Sequence, residues 1–192
     1  MLITSLFYFS QILFDKILNQ MNEELYTASK IFFGINIVLI CSPNGVRQIL
    51  INKNQYSEKL SGLNQVSIND SKLFNVFTQL EEYFIRQRKE FNLPLEMIGT
   101  DFQKRVWEEL VKIPYGETIS YNQLAIRLGD QKAVRAVAAA NGANPLPIVI
   151  PCHRVIGSDG SLVGYGGGLE VKQKLLELEG SLSMSHFQNQ NS

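Results

Sequence analysis

Between residues 100 and 142 the sequence spells out three consecutive helices, and their start and stop signals leave little freedom in how the chain can fold. Thr100 with Gln103, and Ser120 with Gln123, have the spacing in which a hydroxyl and a side-chain amide each satisfy a free backbone N–H at a helix start. Phe102, Val106, Trp107 and Leu110 supply the apolar face of a first helix ending near Ile113, where Pro114-Tyr115-Gly116 breaks it. The second box opens YNQLAIRL, which stops at Gly129, and QKAVRAVAAAN begins an Ala-rich helix ending at Gly142. Two short helices joined by a tight Gly-containing turn form the helix-turn-helix pattern, whose second helix reads a groove. Small side chains on that helix suit close approach to another surface, and they suit a core helix equally well.

The first half is patterned differently. KIFFGINIVLICS reads as a strand, Pro43-Asn44-Gly45 as a turn and GVRQILIN as the returning strand of a hairpin. Residues 53–69 are polar and carry no assignable pattern. DSKLFNVFTQLEEYFIRQRKEF places Leu73, Phe74, Phe77, Leu80 and Phe84 on one helical face, with Glu81, Glu82, Arg86 and Lys89 mostly elsewhere. Pro94 then leaves NLPLEMIG extended. The expected fold class is therefore α/β (α+β): a small α/β domain over 21–99 that suggests no chemistry, then a mainly helical domain over 100–180. The polar stretch 181–192 reads as a flexible tail. Residues 1–20 are an apolar, aromatic N-terminal extension in which Phe7, Phe14 and Leu18 recur at near-helical spacing. They lack the positive start and small-residue cleavage site of a secretory signal, and Met21 before a polar segment is an alternative translation start. No apolar run reaches the eighteen or so residues of a membrane span.

Lys plus Arg (18) cancels Asp plus Glu (18), so no overall field recruits nucleic acid or membrane. Locally, residues 120–155 carry Arg127, Lys132, Arg135 and Arg154 against Asp130, which suits a short phosphate footprint or a solvated face. Two cysteines make no disulfide framework and point to a reducing compartment. Cys41 lies mid-strand and reads as a buried apolar residue. Cys152 is different. In NPLPIVIPCHRVIG it follows a proline at the end of a short β-branched strand, with His153 and Arg154 beside it to raise its thiolate fraction. His153 is a candidate general base, directly or through a water, if a carboxylate fixes its tautomer. Glu170, Glu177 and Glu179 are the candidates, and the pattern does not choose among them. A buried, inert cysteine with a surface histidine fits the same residues.

PCHRVIG, with ANGANPLPIVI before it and GYGGGLEVKQKLLELEG after it, resembles the O6-alkylguanine-DNA alkyltransferase (methylated-DNA–protein-cysteine methyltransferase) family. The likeness extends through FQKRVWEELVKIPYGETISYNQLAIRLGDQKAVRAVA and covers 102–180 almost without gaps. Residues 21–99 are similar only in general shape to the family's smaller ribonuclease-H-like domain. The resemblance implies single-turnover DNA repair, in which an alkyl group moves from O6 of guanine, or less well O4 of thymine, onto Cys152. The base must first be flipped out of the duplex, which costs roughly a few kcal/mol.

By the same resemblance His153 is the water-mediated base and Glu179 orients it. Tyr121 donates toward guanine N3 and helps rotate the phosphate, and Asn144 braces the active-site turn. Arg135 enters the stack in place of the flipped base, with Tyr121, Asn122, Lys132 and Ser158 as further DNA contacts. Tyr165 and the glycines from Gly166 onward close over the base, and the carbonyls of Val155 and Cys152 accept from its amino group. Ala143 stands where many relatives are basic, and Gly166 where some carry serine. Cys41, His153 and His186 cannot form the zinc cluster of some members, so no metal and no cofactor is implied. The expected partner is double-stranded DNA, bound by a monomer in the minor groove with little sequence preference, in the cytoplasm or a eukaryotic nucleus. The rivals are a lesion binder that flips the base without transfer, a helix-turn-helix regulator and a cysteine hydrolase.

Overall fold

A computed structural model describes residues 24–52, 60 and 63–182. The readings for residues 1–20 and for most of the tail lie outside the described residues.

Strands β1 (Tyr26–Phe32), β2 (Ile35–Ser42) and β3 (Gly45–Ile51) form an antiparallel meander, and β4 (Asn64–Gln65) adds to β1 in parallel. The segment expected to be one strand is thus two. Phe33 and Gly34 take φ of 48° and 77° and turn the chain within two residues, as hairpins prefer. The turn is hidden in the sequence because one of its two residues is an aromatic strand former. The second turn, at Pro43 and Asn44, is as expected. β2 is buried on both sides: Ile37, Leu39 and Cys41 face the main core, while Val38 and Ile40 join Leu50 in a second cluster.

Helix α1 (Ser71–Phe84) covers the sheet with Leu73, Val76, Phe77, Leu80, Tyr83 and Phe84. Phe74, expected on that face, is 54% exposed because it sits off the stripe defined by Leu73, Phe77 and Leu80. The helix stops at Phe84, and Arg86 takes φ 62°. The extended segment then runs beside β3, with Val46 N donating to Pro94 O at 2.8 Å and Glu96 N to Val46 O at 2.9 Å.

Both expected capping boxes form. They open α2 (Asp101–Val111) and α3 (Tyr121–Arg127). A 3₁₀ turn over Gln131–Ala133, capped by Asp130, leads into α4 (Val134–Gly142). The Trp107 indole on α2 donates to Ala140 O at 2.9 Å and pins α4 in place. Two short parallel strands, β5 (Ile119–Ser120) and β6 (Val155–Ile156), hold the starts of α3 and of the next loop together. Helix α5 (Leu169–Glu179) follows that loop. A single hydrophobic cluster runs from Phe32 in the sheet through Trp107 to Leu175 on α5. Among the described residues no helix is long and apolar enough to cross a membrane.

Leu80 is fully buried between α1 and the sheet. Leu80→Ala should therefore cost about 2–5 kcal/mol of stability, measured by urea unfolding on Trp107 fluorescence. A loss below about 1 kcal/mol would mean that α1 does not carry the core.

Candidate active site

Cys152 begins a 3₁₀ turn (Cys152–Arg154) and does not end a strand. The β-branched run before it is a tight turn, with Ile148 at φ 76° and Ile150 N donating to Leu146 O at 2.8 Å. Asn144 imposes it: its Oδ1 accepts from Leu146 N at 2.9 Å and its Nδ2 donates to Ile150 O at 2.8 Å. A β-branched residue at positive φ persists only where its surroundings over-determine it, and both ends of this loop are clamped.

Cys152 is buried, 5% exposed as a residue. Burial pushes its pKa up to about 11, against the hydrogen bond to Asn144 and the positive charge of Lys172. The expectation that adjacent cations raise the thiolate fraction is therefore reversed in the resting protein. Desolvation is the reason, and the Arg154 guanidinium is engaged by Glu179.

Glu179 is the hub of the site and settles the choice among carboxylates. Glu170 pairs with Lys174 at the surface, and Glu177 accepts from Gln173. Glu179, only 6% exposed, accepts at Oε1 from Tyr83 Oη (2.7 Å), His153 Nε2 (2.9 Å) and Arg154 Nη2 (2.9 Å). Its Oε2 accepts from Arg154 Nε at 2.8 Å and Gly116 N at 3.3 Å. Gly116 has φ 82°, and a Cβ there would meet Glu179 O at 3.0 Å, so the turn after α2 needs glycine to come this close. Burial alone pushes the carboxyl pKa up, yet the hydrogen bonds and charges of His153 and Arg154 outweigh it and hold the group at about 2.

An ionised carboxylate only accepts, so His153 Nε2 carries the proton. Nδ1 is then a bare acceptor, buried and without a partner among the described residues. Burial lowers the His153 pKa, against the pull of Glu179. The nearby cavity, of about 100 Å³, is lined by Ile51, Asn141, Asn144, Cys152 and Tyr165. That is several times the roughly 10–15 Å³ one water needs.

Lys172 is wholly buried and donates to Val155 O at 2.6 Å and Val163 O at 2.7 Å. Burial lowers its pKa to about 8, with Cys152 opposing. The Val155 carbonyl expected to receive a base is thus already engaged, while Cys152 O has Asn141 Nδ2 at 3.5 Å. Tyr121 opens α3, its hydroxyl 3.4 Å from both Asn141 Nδ2 and Val163 O. The Tyr165 hydroxyl is buried with no partner among the described residues, and its ring meets that of His153 edge-on at 6.5 Å. Gly166 has open space where a side chain would stand.

The residues expected to meet DNA lie on the helix-turn-helix and its flank. Lys132 is exposed on the 3₁₀ turn, Arg135 is exposed at the start of α4, Asn122 is half-buried on α3 and Ser158 is exposed on the turn after β6. Arg154 leaves the expected basic patch because Glu179 neutralises it in the interior. The Ala-rich helix has one core face and leaves the other exposed. Val137, Ala140 and Asn141 are buried, while Arg135, Ala136 and Ala139 are exposed.

Sequence reasoning missed Tyr83, Lys172 and Asn141. A signal existed for Lys172: with Leu175, Leu176 and Glu179 it falls at i, i+3, i+4 and i+7, the buried face of α5. Tyr83 continues the α1 stripe three residues after Leu80, but nothing in the sequence says which group its hydroxyl meets.

Fold and site together define a class: an α/β unit joined to a helix-turn-helix, with a buried Cys-His-Glu constellation at their junction. Residues 25–97 match the family model described as 6-O-methylguanine DNA methyltransferase, ribonuclease-like domain, and 101–181 match that of its DNA binding domain. The chain belongs to the 6-O-methylguanine DNA methyltransferase family. It is 55% identical to the methylated-DNA–protein-cysteine methyltransferase of Mycobacterium tuberculosis over 103 residues, 54% of this chain and 62% of that protein. The match thus spans less than two thirds of that relative's length. The protein of the same name from Methanosarcina acetivorans is 45% identical over 133 residues, 66% of this chain and 85% of its own. The crystal structure of the M. tuberculosis O6-methylguanine methyltransferase superposes with a TM-score of 0.72 at 38% identity, covering 83% of this chain and 94% of that one. The M. tuberculosis OGT in complex with DNA gives 0.70 at 37% identity, covering 82% and 92%.

Glu179→Gln leaves Arg154 buried beside a neutral amide and should cost about 3–5 kcal/mol. The Glu179 pKa is depressed on folding, so its contribution is complete above the ordinary value of 4.5 and disappears as pH falls toward about 2. Unfolding free energies across that range should fall steeply for the wild type and more gently for Glu179→Gln. Parallel curves would contradict this assignment.

Proposed function

We propose that this chain repairs DNA by direct reversal, taking an alkyl group from O6 of guanine, or less well O4 of thymine, onto its own Cys152 once per molecule. The observation that carries the reading is the buried thiol beside a histidine whose Nε2–H is held by Glu179 and whose Nδ1 is bare. Because burial keeps the resting thiol protonated, its proton must leave as the alkyl group arrives. The sulfur–carbon bond forms in line with the breaking carbon–O6 bond. The thiol proton passes through a water to His153 Nδ1, and the departing guanine takes a proton at N3 from the Tyr121 hydroxyl. Asn144 holds the turn that aims Cys152. Tyr165 and Gly166 border the space for the base, and the Val155 and Cys152 carbonyls are its acceptors. The product thioether has no route back to thiol, so each molecule acts once.

Duplex DNA is the proposed partner, met from the minor groove by one protein molecule without sequence preference. Arg135 fills the place of the flipped base, since its planar guanidinium can stack where lysine cannot. Lys132, Asn122, Tyr121 and Ser158 hold the backbone. The DNA-facing domain is taken as 100–180 and the N-terminal one as 21–99. The working compartment is the one that holds the DNA, cytoplasm or nucleus.

Intact-mass spectrometry after mixing with a duplex bearing one O6-methylguanine tests the transfer. The expected result is a gain of one methyl per protein, absent in Cys152→Ala. Tight lesion binding without mass gain would point instead to a binder that flips but does not react. Arg135→Ala should slow transfer on the duplex by on the order of 10–100-fold, the scale set by an unaided flip. The same lesion in a single strand should be affected far less, and equal slowing on both would remove Arg135 from that role.

A further inference from the structure

We propose that Tyr83, on α1 of the N-terminal unit, is a positioning residue for the transfer site, its hydroxyl holding Glu179 and thereby setting how strongly Glu179 grips His153. The inference rests on the alkyl-transfer reading and assigns part of that site to the domain that reads as free of chemistry. Tyr83 is fully buried, and its hydroxyl donates at 2.7 Å to Oε1 of Glu179, 96 residues away. That oxygen is also the one that accepts from His153 Nε2 at 2.9 Å. The ring is held independently, edge-on to Phe84 at 5.4 Å, against Phe91 at 5.5 Å and edge-on to Tyr115 at 6.1 Å. Removing the hydroxyl alone therefore leaves its packing in place.

Oε1 shares its electron density among Tyr83, His153 and Arg154. One carboxylate oxygen offers about two lone-pair sites, so the three donors compete for it and each weakens the others' hold. With Tyr83 silent, Glu179 pulls harder on the His153 Nε2–H and stabilises the imidazolium. Among the charged and titratable groups around His153, Arg154 and Lys172 disfavour its charged form and Glu179 favours it. The Tyr165 ring and Cys152 complete its surroundings. Glu179 is faced by Tyr83, Arg154, His153, the Gly116 N–H and the nearby Tyr115 hydroxyl. Among the described residues, the Tyr83 hydroxyl is the group of the N-terminal unit that hydrogen-bonds Glu179. In the proposed reaction it keeps His153 neutral and ready to accept the thiol proton.

The test uses the full chain with Tyr83→Phe and two readouts. The first is the His153 Nε2–H proton resonance by NMR, tractable because the chain has two histidines. It should move downfield as the bond to Glu179 strengthens. The second is the pH profile of transfer from an O6-methylguanine duplex, whose acid limb should move up by roughly half a unit to one unit, the net effect of one hydrogen bond on a proton equilibrium. A ring-fluorinated tyrosine at position 83 keeps the shape but donates more strongly, so both shifts should reverse. That second variant carries the test if Tyr83→Phe does not fold. An unmoved resonance with a rate lowered equally at every pH would reduce Tyr83 to packing and overturn the inference. A shifted resonance in a protein whose wild type transfers nothing would leave the coupling standing and overturn the alkyl-transfer reading instead.

Discussion

An ionised carboxylate is costly to bury, and Glu179 is tolerable only because donors converge on it from every side. His153 and Arg154 come from the 3₁₀ turn, Gly116 from the turn after α2, and Tyr83 from α1. These segments are far apart in the chain, so the carboxylate can be satisfied only when all of them are in place. Arg154 is secured in turn by donating to Ile113 O at 2.6 Å. The geometry of the candidate site is therefore a condition of folding and not an addition to a finished scaffold.

The same arrangement separates reactivity from exposure. Cys152 and His153 are both buried, and burial favours the neutral form of each: thiol and imidazole. A neutral thiol is a poor nucleophile toward small electrophiles that reach the site by chance. In the proposed reaction the electrophile is a base brought to the sulfur by DNA binding, and the proton leaves only then. Lys172, two turns earlier on the same face of α5, adds a further buried charge. Two carbonyls hold it, and burial loosens its proton for a lysine.

The N-terminal sheet is more than a lid on the core. Ile51 at the end of β3 lines the cavity beside Cys152, and a Cβ on Gly167 would meet its side chain at 2.9 Å. The loop over the cavity is thus shaped by β3 on one side and by Lys172, through Val163 O, on the other. With Tyr83 on Glu179, both ends of the site are in contact with a unit whose sequence advertises no reactive group.

Local signals reached a long way into this protein. The capping boxes at Thr100 and Ser120, the Pro43-Asn44 turn and the apolar stripe of α1 were legible because each depends on residues a few positions apart. The candidate cysteine and histidine were legible because they are neighbours in PCHR, and the family resemblance added Glu179, Asn144 and Tyr121. What failed had a common cause. The strand expected through Phe33-Gly34 and the one expected over Ile148–Ile150 were assigned by β-branched and aromatic content. Turn geometry overrode that content, in the second case through Asn144. The thiolate expectation failed because proximity in sequence says nothing of how deeply a thiol is buried. The sequence by itself determined the helices, the candidate cysteine–histidine pair and the class of protein. The tertiary structure alone decided that Arg154 is spent on Glu179, that the Tyr83 hydroxyl reaches the same carboxylate, and that Lys172 is buried beside the Val155 and Val163 carbonyls. Those contacts join residues up to 96 positions apart. Desolvation, which favours the neutral thiol and the neutral imidazole there, exists only once the core has closed around them.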